Sequence, residues 1–147
     1  MNTKKAAAIQ AIGSIEDVAI RAYNNYCTER ERFKAAVTRD PARAVEWAKD
    51  VIVAQVKHEQ IDKLYARVLE VENDYDLTID VVKDIVEEWV ADVQKPLLEN
   101  WLSDGGDPLT NAVASNKRAA LAQLLRFEVP LIRDAVEYFG EEADEGR

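Results

Sequence analysis

The segment from Pro41 to Glu72 constrains the fold most. Trp47, Val51, Ala54, Ile61, Tyr65 and Val68 recur at alternating intervals of four and three, with His58 filling the one gap, so a single helical face stays apolar along the segment. Val45, Ala48, Ile52 and Val56 widen that face in the first half, as a helix touching several neighbours requires. No stretch of the chain alternates with period two, so no sheet is expected to cover this helix. The expected fold is therefore all-α: an elongated antiparallel bundle of about four long helices with a short N-terminal helix or arm.

Punctuation residues place the other elements. Residues 3–12 form the short helix or arm, which Gly13 ends, and Ser14 with Asp17 resembles a capping box opening a helix over 14–39. Its apolar positions are Ile15, Ala19, Ala22, Tyr26, Phe33 and Val37. Asp40 then caps a helix over 41–72, with Pro41 at the first helical position, where a missing N–H costs nothing.

Asp76 or Thr78 can cap a third helix over 78–102, whose stripe is Ile79, Val82, Val86, Trp89 and Val93, extended by Leu97 and Trp101 if Pro96 only kinks it. A turn at Ser103–Gly106 leads to Asp107-Pro108 and a last helix over 108–139, with Leu109, Val113, Ala120, Leu124, Phe127, Leu131 and Tyr138 on one face. Pro130 should produce a kink or a new helix start, and Gly140 a C-cap before an exposed acidic tail over 141–147. Short connections favour up-down-up-down order in a single domain spanning 1–147.

One cysteine forms no intramolecular disulfide, and no apolar run reaches the roughly 18–20 residues of a membrane span. Lys4-Lys5 before Ala6–Ile9 is a faint secretory pattern, but Gln10, Glu16 and Asp17 interrupt it. The expectation is a cytoplasmic protein with no membrane association.

The charge is localised. Residues 70–92 carry nine acids, Glu70, Glu72, Asp74, Asp76, Asp80, Asp84, Glu87, Glu88 and Asp92, against the single base Lys83, so they account for −8 of the net −9. Asp80, Asp84, Glu88 and Asp92 lie four apart, one row on one helical face, where like charges destabilise an isolated helix by about 0.2–0.5 kcal/mol per pair. Such a row either keeps an outer face wet or meets a basic partner surface and speeds the encounter. It repeats about every 6 Å, against about 3.4 Å for the phosphates of one DNA strand. Charge mimicry of nucleic acid would thus need a second row, from Glu70–Asp76, from the tail or from a second protomer.

Chemistry-bearing constellations are sparse. His58, the only histidine, lies on the apolar stripe, which suits a hydrogen-bonded seam residue, and one histidine excludes a ferritin-like di-iron site. Asp74, Asp76 and Thr78 alternate as in a calcium loop, but Ile79 and Ile85 occupy the places of its glycine and glutamate. Gly105-Gly106 lacks the Lys-Ser/Thr of a phosphate loop, so no cofactor or metal is expected. The basic cluster Arg30, Arg32, Lys34, Arg39 and Arg43 is interleaved with Glu29, Glu31 and Asp40, which favours ion pairing over direct nucleic-acid binding.

These patterns point to a non-catalytic interaction module. In this reading Asp80, Asp84, Glu87, Glu88 and Asp92, extended by Glu70, Glu72, Asp74 and Asp76, engage a basic protein surface, with a nucleic-acid-handling complex as one such target. The alternative is a self-associating structural or assembly protein, a homodimer for example, joined through helical seams. Third comes an enzyme using Cys27 or His58.

Overall fold

The computed structural model describes residues 3–99 and 108–145, with side chains over 3–99 and 111–145. The described residues form an all-α bundle: α1 (Thr3–Arg39), α2 (Pro41–Val71), α3 (Ile79–Leu98), α4 (Pro108–Gln123) and α5 (Val129–Glu145). A π-helical turn over Leu124–Glu128 joins α4 to α5, so 108–145 is one continuous rod. The joint between α1 and α2 is as the sequence predicts. Asp40 caps α2 by accepting from the Arg43 N–H at 3.4 Å, with Pro41 behind it.

The rods alternate in direction. Lys4, at the start of α1, pairs with Asp80 at the start of α3. Ala112 and Val113 face Phe33, Val45 and Ile52, whereas Leu131, Ile132 and Ala135 face Ser14, Asp17 and Arg21. The last rod thus runs antiparallel to α1 and completes the expected up-down-up-down order.

The core gathers at one half of the bundle. It joins Ala7, Ala8, Ala11, Ile12 and Ile15 of α1 to Ile61, Leu64 and Val68 of α2, the α3 stripe, and Val129, Ile132 and Val136 of α5. Every residue of the predicted α3 stripe from Ile79 to Val93 is buried, with Val90 added. Leu97 is only partly buried, and the helix ends at Leu98. Trp101, Leu109 and the Ser103–Gly106 turn lie outside the residues whose side chains are described.

Four expectations need correcting. First, α1 is continuous through Gly13, which lacks positive φ. Ala7, Ala8, Ala11, Ile12 and Ile15 form one buried stripe across it, and that packing outweighs the roughly 1 kcal/mol helical penalty of glycine. Ser14 and Asp17 are accordingly helix-interior residues, not a capping box.

Second, Gly140 is not a C-cap. It is buried inside α5, and the acids Glu141, Glu142, Asp144 and Glu145 continue the helix with Ala143 buried among them. Third, the far half of the α1–α2 hairpin is thinly covered. Val45 is 70 % exposed and Val37 is exposed, while Ala36 and Ala44 take the buried places.

Fourth, the face of the last helix shifts by one residue at the π turn. Phe127, Leu131 and Tyr138 are exposed, and Val129, Ile132, Val136 and Ala143 are buried instead. The cause is Pro130, which has no N–H and whose ring would meet the carbonyl four residues back in a regular helix. The wider turn, in which the Val129 N–H donates to the Leu124 carbonyl, relieves that clash by absorbing one extra residue.

Gly13 provides a direct check. A Cβ added there meets nothing within 4 Å, so Gly13→Ala should stabilise the protein by about 0.5–1 kcal/mol in urea unfolding. Destabilisation would mean that the helix breaks at this position.

Candidate interaction surface

The acidic row occupies the exposed side of α3, but it is not a free row. Asp80 pairs with Lys4 of α1 at 3.8 Å, Asp92 with Arg67 of α2 at 2.7 Å, and Glu87 accepts two bonds from Arg133 of α5 at 2.9 and 2.7 Å. Each pair joins α3 to a different neighbour, which offsets the repulsion along the row. Among the described residues Asp84 and Glu88 have no cationic partner, and neither do Glu70, Glu72, Asp74 and Asp76. The free negative charge therefore lies closer to the α2–α3 turn than the spacing alone suggests.

A second acidic segment arrives at the same end. Gly140 packs beside Lys83 and Ile79: a Cβ on it would lie 3.1 Å from Lys83 Nζ and 3.6 Å from Ile79 Cγ1. The turn of helix carrying Glu141, Glu142, Asp144 and Glu145 therefore stands next to the start of α3. With Glu70, Glu72, Asp74, Asp76, Asp80 and Asp84, these make ten carboxylates against Lys4, Lys5 and Lys83 among the described residues, a net of −7.

Tyr75 stands in the middle of the connecting turn, between Asp74 and Asp76, and is 96 % exposed. Its ring lies 5.9 Å from Lys5 Nζ. An aromatic ring projecting from a charged surface is the residue type that most often anchors an interface. Sequence spacing gives no hint of the three helix-to-helix pairs, because their partners are 76, 46 and 25 residues away. Tyr75 did carry a signal, a bulky aromatic set in a loop between two aspartates.

Electrostatics at the row follow from these pairs. Bonds from Arg133 hold the Glu87 carboxyl below its ordinary pKa and raise the guanidinium in return. A lowered carboxylate pKa contributes stability above the unfolded-state value, and that contribution is lost as pH falls through the folded value. Both side chains are about half exposed, so a double-mutant cycle with Glu87→Gln and Arg133→Gln should give only about 0.2–1 kcal/mol at neutral pH. The coupling should vanish in acid; a coupling unchanged below the Glu87 pKa would show that the pair is not ionic.

The other candidates lie elsewhere. His58 sits on the α1–α2 seam against Tyr23 and Tyr26, with ring centroids at 5.2 and 5.7 Å, the second pair stacked. The Cys27 thiol lies beside the Tyr23 hydroxyl and raises its pKa. No hydrogen bond joins Cys27 to His58 among the described residues. Likewise, among the described residues no cluster of His, Cys, Asp and Glu is arranged to hold a metal ion, and no helix is long and apolar enough to cross a membrane.

At the opposite end of the bundle, six bases face five acids over residues 29–50. Several pair locally, Arg32 with Glu29 and Lys34 with Glu31 among them, as the interleaving predicts. Comparison with protein families, with characterised proteins and with solved structures finds no match to this chain.

Proposed function

We propose that the protein is a non-catalytic interaction module whose acidic end engages a basic surface of a macromolecular target, a nucleic-acid-handling protein being one class that presents such a surface. The observation that carries this reading is the convergence of two acidic segments, 70–84 and 141–145, around the projecting Tyr75. A net charge of −7 confined to one end gives a directed field that speeds association with a cationic partner, and an aromatic at its centre supplies the desolvated contact that charge alone does not. The second acidic segment also provides the extra row that charge mimicry requires. The paired acids Glu87 and Asp92 contribute less in this reading, since Arg133 and Arg67 already neutralise them.

The test is capture from native lysate at low and physiological salt by wild type, by Asp74→Lys/Asp76→Lys/Asp84→Lys, and by Tyr75→Ala. Capture of a basic protein that the triple variant loses and that salt weakens supports the reading. Tyr75→Ala should weaken it by roughly tenfold or more. Recovery of the same partners by all three proteins at both salts would sink it.

Self-association is the second reading, and one observation favours it. Phe33, Ala44, Val45, Ala48, Ile52 and Val113 line an open apolar groove of about 370 Å³ at the end opposite the acidic one. Sedimentation at several concentrations decides: a dimer that persists at high salt supports an apolar seam, and a monomer throughout removes it.

A further inference from the structure

Two surface features lie at opposite ends of the bundle and have complementary chemistry. The first is the groove between α2 and α4. Ala44, Ala48 and Ala112 are too small to fill it, and Phe33, Val45, Ile52 and Val113 complete an apolar lining around about 370 Å³. Among the described residues Lys49 is the one charged side chain that lines it, and no ion pair engages its ammonium. Val45 beside it is 70 % exposed, so a branched aliphatic side chain stands mostly in water.

The second feature is the tip of the α2–α3 turn. Asn73, Asp74, Tyr75 and Asp76 are all exposed there, and Tyr75 keeps 96 % of its surface in water. An aromatic side chain removes about 150–250 Å² from water when it is covered. The tip thus offers one ring between two carboxylates, and the groove offers an apolar site with one cation. Net charge follows the same polarity. Against −7 at the acidic end, the described residues 29–50 and 108–118 of the groove end carry eight bases and five acids, a net of +3.

We propose that the protein associates head to tail, with the Tyr75 turn of one copy seated in the α2–α4 groove of the next. The ring lies against Val45 and Ile52, and a flanking aspartate, Asp74 or Asp76, meets Lys49. This inference rests on the reading of the acidic end as a docking surface and makes a second copy of the chain one of its partners. A two-fold dimer joined groove to groove would set +3 against +3 and leave Tyr75 in water, and one joined tip to tip would set −7 against −7. The head-to-tail contact joins opposite charges and covers both features at once. Because tip and groove belong to opposite ends of one bundle, the contact does not close on itself: each added copy presents a fresh tip, and the assembly grows as an open chain.

The test is sedimentation of the full chain over a concentration series, alongside Tyr75→Ala, Val45→Glu and an equimolar mixture of the two variants. Both substitutions fall at exposed positions, and circular dichroism checks that the helices are retained. Wild type should grow past the dimer as concentration rises. Growth should weaken as salt goes from about 0.01 M to about 0.15 M, over which the screening length falls from about 30 Å to about 8 Å. Each variant alone should associate at least about tenfold more weakly. Their mixture should recover a dimer that grows no further, since the Val45→Glu copy keeps its tip and the Tyr75→Ala copy keeps its groove. Capture of a basic target from lysate should survive Val45→Glu, which leaves the acidic end intact, so the two uses of that end fail separately. The proposal is overturned by a wild type that is monomeric at every concentration or stops at the dimer, by a single variant that associates like wild type, or by a mixture that associates no better than either variant alone.

Discussion

Replacing Trp89 with alanine is expected to cost about 3–5 kcal/mol, which for a domain of ordinary stability is a large share of the whole. Trp89 is 1 % exposed and stands at the centre of the core, on the α3 face that meets α2. Its indole N–H donates to the Gln60 carbonyl at 2.8 Å, so the largest side chain of the core also fixes the height of α3 along α2. Most of the loss comes from the cavity left behind; the hydrogen bond accounts for about 1 kcal/mol, which Trp89→Phe should isolate together with a small packing defect. Trp47, half-buried where the hairpin is thinly covered, is the control, and Trp47→Ala should cost about 1 kcal/mol. Urea unfolding followed by circular dichroism measures all three variants. Equal losses at Trp89 and Trp47 would contradict the placement of the core at one half of the bundle.

That unevenness is where sequence reading reached its limit. The helical period fixed which face of α2 turns inward, but not how completely each end is covered, since coverage depends on where the shorter α3 lies. Ile61, Leu64 and Val68 are fully buried beside α3, whereas Val45 and Ile52, equally apolar, border an open groove. Leu64 falls outside the four-three spacing and is buried one turn from Gln60 and Arg67, both of which bond to α3. Glycine misled twice for a related reason. Gly13 and Gly140 carry the local signature of helix ends, yet each sits in a helix that tertiary packing keeps intact.

The candidate surface was legible in part. Nine acids in one stretch mark α3, yet the row reading ignored Lys4, Arg67 and Arg133, which arrive from other helices and neutralise two of the row's members, Asp80 and Asp92, and Glu87 beside it. Conversely, the fold adds charge that linear order keeps apart. A chain of four antiparallel rods returns its end to the side from which it started, so the acids of 141–145 join those of 70–84 by topology alone. The expected bundle order already implied this meeting, whereas the prominence of Tyr75 required coordinates.

Deleting a single residue from the last helix should have opposite consequences at two sites only a few residues apart. Deletion of the exposed Asp134 from the regular helix rotates everything after it by about 100°. The buried sites of Val136 and Ala143 would then receive Glu137 and Asp144, carboxylates with no partner in the core, and the tight site of Gly140 against Lys83 and Ile79 would receive the larger Glu141. Since burying them costs more than their helix returns, the end of α5 should detach, with a loss of about 3–5 kcal/mol from the apolar surface exposed. Deleting the exposed Phe127, combined with Pro130→Ala, should instead be tolerated to within about 1 kcal/mol. The buried series Leu121, Leu124, Val129, Ile132, Val136 contains one step of five, which is the π turn; removing one residue there restores the ordinary four-three rhythm and keeps the later members of the buried series facing inward. Deletion of Phe127 alone should cost about 3 kcal/mol, because Pro130 then meets a regular helical carbonyl. Unfolding curves of the three variants separate these contributions. If deletion at Phe127 with Pro130→Ala were as damaging as deletion at Asp134, the π turn would not be a one-residue insertion in the register of the core.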